Sequence, residues 1–194
     1  MNISAQTVAN TSTSQPEKIE APVKILIAGI GNIFLGDDAF GVEVARSLHK
    51  RRLASSVVVR DFGIRGVDLA YALLEAWDAV ILIDAMARGE PPGTLFVMEP
   101  NLDGSNAPVA ALDGHDLDPV RVLQLAASLG PILAQVILVG CEPQDVGDEL
   151  DGRMGLSPSV QSAVEDASDL VETLIVGLLQ QKPAKDLEHT EVQS

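Results

Sequence analysis

Val23-Lys24-Ile25-Leu26-Ile27-Ala28-Gly29-Ile30-Gly31-Asn32-Ile33-Phe34-Leu35-Gly36-Asp37-Asp38-Ala39-Phe40-Gly41 runs from an apolar strand through a glycine loop to two adjacent aspartates at the start of a helix. In a dinucleotide fold such glycines let backbone N–H groups and a helix N-terminus receive pyrophosphate, and the fingerprint is Gly-x-Gly-x-x-Gly. Here Phe34 stands where the third glycine belongs. Asp37 and Asp38 fall where a diphosphate would lie, and like charges in a partly desolvated cleft repel. The stretch therefore suits a cation better than an anion. One Asp is explained by capping the helix and complementing its dipole; a second invites a further role.

Outward from this opening, apolar runs alternate with helical periodicity. The first strand is expected over Lys24–Ala28, followed by a helix from about Asp38 with Phe40, Val44 and Leu48 on one face. Val57–Val59 reads as a short strand, Val67–Trp77 as a second helix and Ala79–Ile83 as the third strand. The turn Gly89-Glu90-Pro91-Pro92-Gly93 leads into a strand at Thr94–Met98. After a long polar loop, Asp118 as N-cap and Pro119 at the first helical position open a helix closed by Gly130. Gln135–Val139 is the last strand, and Ser157-Pro158 begins a helix reaching about Leu179. Alternation of this kind implies an α/β fold of three layers, a mostly parallel twisted sheet of about five strands with helices on both faces.

Composition agrees. Hydrophobic residues make up 46% of the 194 but aromatics only 3%, so the core is built from Val, Leu, Ile and Ala, as parallel strands buried on both faces require. A net charge of −15 argues against a nucleic-acid or anionic-membrane partner. One cysteine excludes an intrachain disulfide. Met1 to Pro22 lacks the basic start and apolar block of a signal peptide, and no apolar run is long enough to span a bilayer, so the cytoplasm is the expected location. Residues 1–21 and 181–194 are polar segments unable to offset their ordering entropy by burial, and are expected to be disordered around a single domain at 22–180.

In open parallel sheets ligands bind beyond the carboxyl ends of the strands. Polar segments expected there are Asp37-Asp38, Asp61-Phe62-Gly63-Ile64-Arg65-Gly66, Asp84 and Cys141-Glu142-Pro143, joined by His115 in the long loop. Right-handed winding brings Asp38, Asp84 and that loop to one edge. Two carboxylates and an imidazole make a ligand set that leaves coordination positions open, although spacing alone does not establish it. Each residue also has a plainer reading. Asp84 could simply end its strand, His115 could be a solvated loop histidine, and Arg65 could be a surface arginine rather than a group that orients substrate. His49, beside Lys50, Arg51 and Arg52, complements a helix end, and His189 lies in the tail. Cys141 is either a nucleophile or a small hydrophobe at a strand end.

With these residues assembled, the chain resembles the hydrogenase maturation proteases, endopeptidases that trim nickel-iron hydrogenase large subunits. The likeness is carried in order by Gly29-Ile30-Gly31-Asn32 through Gly36-Asp37-Asp38-Ala39-Phe40-Gly41, the Asp61–Gly66 loop, Ile83-Asp84-Ala85, the His115 loop, and Val139-Gly140 with Gly155-Leu156-Ser157-Pro158. The resemblance implies that Asp38, Asp84 and His115 form the metal-contacting catalytic site. It further implies that the partner is a large-subunit precursor whose C-terminal extension is removed once nickel, carried by that precursor, is in place. Where Asp-Gly-Gly-Thr is common in the second loop, this chain has Asp61-Phe62-Gly63-Ile64, which bears on the identity of the client hydrogenase. Hydrolysis needs a water activated by metal or by a carboxylate, with Asp37 the spare candidate base and helix capping its alternative duty. Two other readings stay open: a Rossmann-like nucleotide-binding protein with Asp61 on a ribose, and a noncatalytic nickel-dependent chaperone.

Overall fold

The computed structural model describes residues 22–100, 118–146 and 154–181. Five strands form one sheet in the order β2-β1-β3-β5-β4, with β1 at Ile25–Ile30, β2 at Val57–Gly63, β3 at Ala79–Ala85, β4 at Leu95–Met98 and β5 at Gln135–Cys141. β1, β2, β3 and β5 run parallel; β4 closes the edge antiparallel to β5. The helices are α1 at Phe40–Leu48, α2 at Gly66–Ala72, α3 at Pro119–Leu129 and α4 at Pro158–Gln180, with a 3-10 turn at Gly36–Ala39 leading into α1. The α/β architecture is the one expected.

Side-chain alternation along the central strands divides the core. Ile25, Ile27, Ile81, Ile83, Ile137 and Val139 face α1 and α4, where Phe40, Val44 and Leu48 fall one turn apart and meet Val164, Val171 and Ile175. Leu26, Ala28, Val80, Leu82, Val136 and Leu138 face the other way, onto Leu69, Leu73, Val122, Leu123 and Ala126 of α2 and α3 and their flanks. Burying an aliphatic side chain in this way stabilises by about 1.5–3 kcal/mol, so the two layers of Val, Leu and Ile supply the cohesion that aromatics provide elsewhere.

Helix ends follow local chemistry. Asp118 accepts the N–H of Val120 at 2.9 Å and Pro119 occupies the first turn of α3, which stops at Gly130. The ring Nδ1 of His49 donates to the carbonyl of Ala45 at 2.7 Å, an oxygen that also accepts the His49 backbone N–H at 3.0 Å at the end of α1. α2 is shorter than the expected Val67–Trp77. The Ala72 carbonyl, which a continuing helix would offer to Ala76, instead accepts from Glu75 N and from the indole Nε1 of Trp77 at 2.9 Å, so the chain turns into β3. β2, β3 and β5 each run longer than expected, because ladder pairing continues to the polar residues at their ends: Gly29 opposes Asp61, and Asp84 opposes Gly140. The segments 1–21 and 182–194, and the loop carrying His115, lie outside the described residues.

Candidate active site at the carboxyl ends of the strands

Three glycines let α1 and its leading turn sit directly on the sheet. A Cβ on Gly41 would stand 2.1 Å from the Ile83 carbonyl oxygen and 2.4 Å from that of Ile30; one on Gly29 would stand 2.4 Å from the Gly41 oxygen. At Gly31, φ is +126° and a Cβ would come within 1.7 Å of the Asp38 carbonyl oxygen. The space that glycines clear for pyrophosphate in a dinucleotide fold is thus filled by this protein's own main chain. The first free N–H past the loop is used internally as well, since Asn32 N donates to Asp38 Oδ2 at 2.6 Å. Both facts count against the nucleotide-binding alternative.

Asp38 is half-buried on the 3-10 turn, and Asp84 is 4% exposed near the end of β3. The structure brings these two expected site residues to the same end of adjacent strands. Burial raises the Asp38 carboxyl above its ordinary value, with the Asn32 N–H pulling the other way. Asp84 is pushed well above its ordinary value, first by burial and then by the charge of Asp38, against one hydrogen bond from Ala85 N at 2.9 Å; Asp118 adds a smaller repulsion. Asp84 is therefore more than a strand terminator: it is a buried carboxylate facing two other negative groups. A cation would relieve that repulsion. Among the described residues no cluster of three or more His, Cys, Asp or Glu side chains is arranged to hold a metal ion, and the third expected ligand, His115, lies outside them.

Asp37 does not cap the helix, contrary to the plainer reading of its sequence position. Its carboxylate is 1% exposed and accepts N–H bonds from Gln144 at 2.8 Å, Asp145 at 3.1 Å and Ser157 at 2.6 Å, while its own N–H donates to the Asp145 carbonyl at 3.0 Å. It staples the turn carrying Asp38 to the connection that enters α4. With its oxygens occupied by three donors it is poorly disposed to act as the base.

The remaining candidates resolve on contact. Cys141 is fully buried, its Sγ lies 3.7 Å from the Glu142 carbonyl oxygen, and burial together with the charges of Asp37 and Glu142 pushes its thiol up to about 12. That disfavours thiolate chemistry and fits the small-hydrophobe reading. Arg65 turns back onto its own loop, donating from Nε to the Phe62 carbonyl at 3.0 Å and from its guanidinium to the Asp61 carbonyl. Two residues carry roles that the sequence did not announce. Glu142 accepts from Arg88 N at 2.7 Å and Gly89 N at 3.2 Å, fixing the loop after β3. Asn32 ties the glycine loop to Asp38; an Asn directly after Gly-x-Gly was the available signal.

Residues 42–174 match the family model described as hydrogenase maturation protease, HycI. The chain is 31% identical over 149 residues to the hydrogenase expression/formation protein HoxM of Cupriavidus necator, covering 76% of this chain and 73% of that one. Its fold is similar to that of a hydrogenase 2 maturation peptidase from a Thaumarchaeota archaeon, with a TM-score of 0.60 and 32% identity over 80% of this chain and 99% of the other. It is likewise similar to the hydrogenase maturating endopeptidase HybD of Escherichia coli, with a TM-score of 0.61 and 28% identity over 80% and 93% of the two chains.

Proposed function

The chain belongs to the hydrogenase maturation protease family, and from that premise we propose that it removes the C-terminal extension of a nickel-iron hydrogenase large-subunit precursor after nickel insertion. It is an endopeptidase of hydrogenase maturation; the cleaved segment, the trigger and the residues responsible are the proposal. The observation that carries it is the pair of carboxylates, Asp38 and Asp84, held at one end of the sheet closely enough for the charge of one to raise the pKa of the other.

In this reading Asp38, Asp84 and His115 meet the nickel borne by the precursor. The donor set fits: two carboxylates whose burial and mutual repulsion favour an added cation, and an imidazole, a ligand type suited to nickel. His115 is three residues before Asp118, whose charge reaches Asp84. Three residues of chain span at most about 11 Å, which supports His115 as the third member. Bound nickel supplies a positive charge that polarises a nearby carbonyl or water. The protein's part is to hold Asp38 through Asn32 N–H, to keep Asp84 dry within β3, and to fix the turn carrying Asp38 through Asp37. A precursor without nickel leaves the two carboxylates opposed, so it docks with no gain from charge pairing. Among the described residues no helix is long and apolar enough to cross a membrane.

The test is to incubate a purified precursor, with and without nickel, with this protein and to weigh the large subunit. Nickel-dependent loss of a C-terminal peptide is the expected result. Stable binding to the loaded precursor with release at unchanged mass would instead identify a chaperone.

A further inference from the structure

We propose that Asn32 is a further catalytic residue, its carboxamide Nδ2 donating to the carbonyl oxygen of the scissile peptide. This rests on the peptidase reading above. Asn32 stands two residues past the end of β1, whose neighbour in the sheet is the strand carrying Asp84. Its backbone N–H binds Asp38 Oδ2 at 2.6 Å, so it is anchored to one of the two site carboxylates. Its side-chain Oδ1 accepts the N–H of Phe34 at 3.0 Å, which fixes the plane of the amide. The same residue is half-buried, and among the described residues Nδ2 makes no hydrogen bond. The amide thus has one end committed to the fold and the other left as an uncharged donor, on a residue whose backbone is anchored to Asp38.

Peptide hydrolysis needs such a group. As water oxygen bonds to the carbonyl carbon, the C=O π pair moves onto the carbonyl oxygen; the C–N bond then breaks and the departing nitrogen takes the proton released by the water. Donors already aimed at the developing oxyanion cost no reorganisation, and losing one typically lowers turnover by about 10²–10³-fold. In a site lined by Asp38 and Asp84 a lysine or arginine would be drawn into ion pairs with them, whereas a neutral amide keeps its hydrogens for substrate. The arginine of the neighbouring loop, Arg65, is spent on the carbonyls of Phe62 and Asp61.

The experiment measures trimming of the nickel-loaded precursor and the melting temperature for the wild type and for Asn32→Ala, Asn32→Ser and Asn32→Asp. Ser and Asp retain an oxygen for the Phe34 N–H, so they separate the turn from the donor. Expected is a fall in kcat of about 10²–10³-fold for Ala and Asp, a smaller fall for Ser, whose hydroxyl can donate, and KM nearly constant. The melting temperature of Asn32→Ser stays near that of the wild type. Turnover that follows melting temperature across the series, a loss confined to KM, or Asn32→Ala within about threefold of wild type (well short of the loss expected for an oxyanion donor) overturns the assignment. Failure of the wild type to trim any precursor would strike the peptidase reading itself, a distinguishable result.

Discussion

Asp37 and Asp38 are adjacent in the chain yet turn their carboxylates to different partners: Asp37 gathers the N–H groups of Gln144, Asp145 and Ser157, while Asp38, among the described residues, takes that of Asn32 and stays half-buried near enough to Asp84 to raise its pKa.

Loss of the Asp37 carboxylate should therefore read out first in stability. Asp37→Ala removes the carboxylate that accepts from three N–H groups, at about 1–3 kcal/mol for each one left buried and unpaired. For a protein of this length each kcal/mol moves the melting temperature by roughly 2–4 °C, so a fall on the order of 10 °C is expected in a thermal melt. Asp37→Asn should fall less, since its amide oxygen still accepts. A melt unchanged by Asp37→Ala would refute the staple.

Asp84 makes a prediction of the opposite sign. Its folded pKa lies above the unfolded value, so in the window between the two the native state binds more protons than the unfolded state, and stability declines as pH rises. Asp84→Asn keeps an oxygen for the Ala85 N–H while removing the buried charge. It should raise the melting temperature at pH 7 by at least roughly 2–4 °C, the equivalent of ~1 kcal/mol. The gain should vanish below the ordinary carboxylate range. Melts of both proteins across pH 3–8, where an unperturbed carboxyl titrates at about 3.9, decide it.

The same substitution should cost function. Asp38→Asn, Asp84→Asn and His115→Ala are each expected to leave a folded protein that no longer trims the precursor, seen as a retained, slower-migrating large subunit. Cys141→Ala should trim normally, because a buried thiol pushed up to about 12 is not a nucleophile at neutral pH. Processing by all three site variants, or its loss in a folded Cys141→Ala, would redraw the site.

Two glycine substitutions should part company. Gly41→Ala drives a methyl against the Ile83 and Ile30 carbonyl oxygens at 2.1 and 2.4 Å, backbone atoms that cannot step aside. A loss of about 1–3 kcal/mol or more is expected. Gly177, inside α4, has nothing within 4 Å of its Cβ position. Gly177→Ala should stabilise by about 0.4–1 kcal/mol through a smaller unfolded-state entropy. Denaturant melts of the pair suffice.

Much of the fold is legible in the sequence, because its signals are local. The apolar run from Ile25 to Ala28, the one-turn spacing of Phe40, Val44 and Leu48, and the Asp118-Pro119 start each report their element within a few residues. The sequence overstates α2 because Trp77 looks like a continuation of the helix; its indole bond to Ala72, with that of Glu75 N to the same carbonyl, ends the helix earlier. Asp84 was located but its burial was not, since depth depends on β3 pairing with β5 as far as Ala85 and Cys141.

From its residues alone this chain specified an α/β sheet with acidic side chains at the carboxyl ends of its strands, because strand and helix periodicities and the glycine loop are short-range properties. Which of the two neighbouring aspartates would become a staple, and which would face Asp84, was left to tertiary structure. The partners of Asp37 lie 107, 108 and 120 residues further along the chain, and the pKa of Asp84 is set by burial and by the charge of Asp38 across the sheet. Through-space contacts of that separation leave no periodic trace in a sequence.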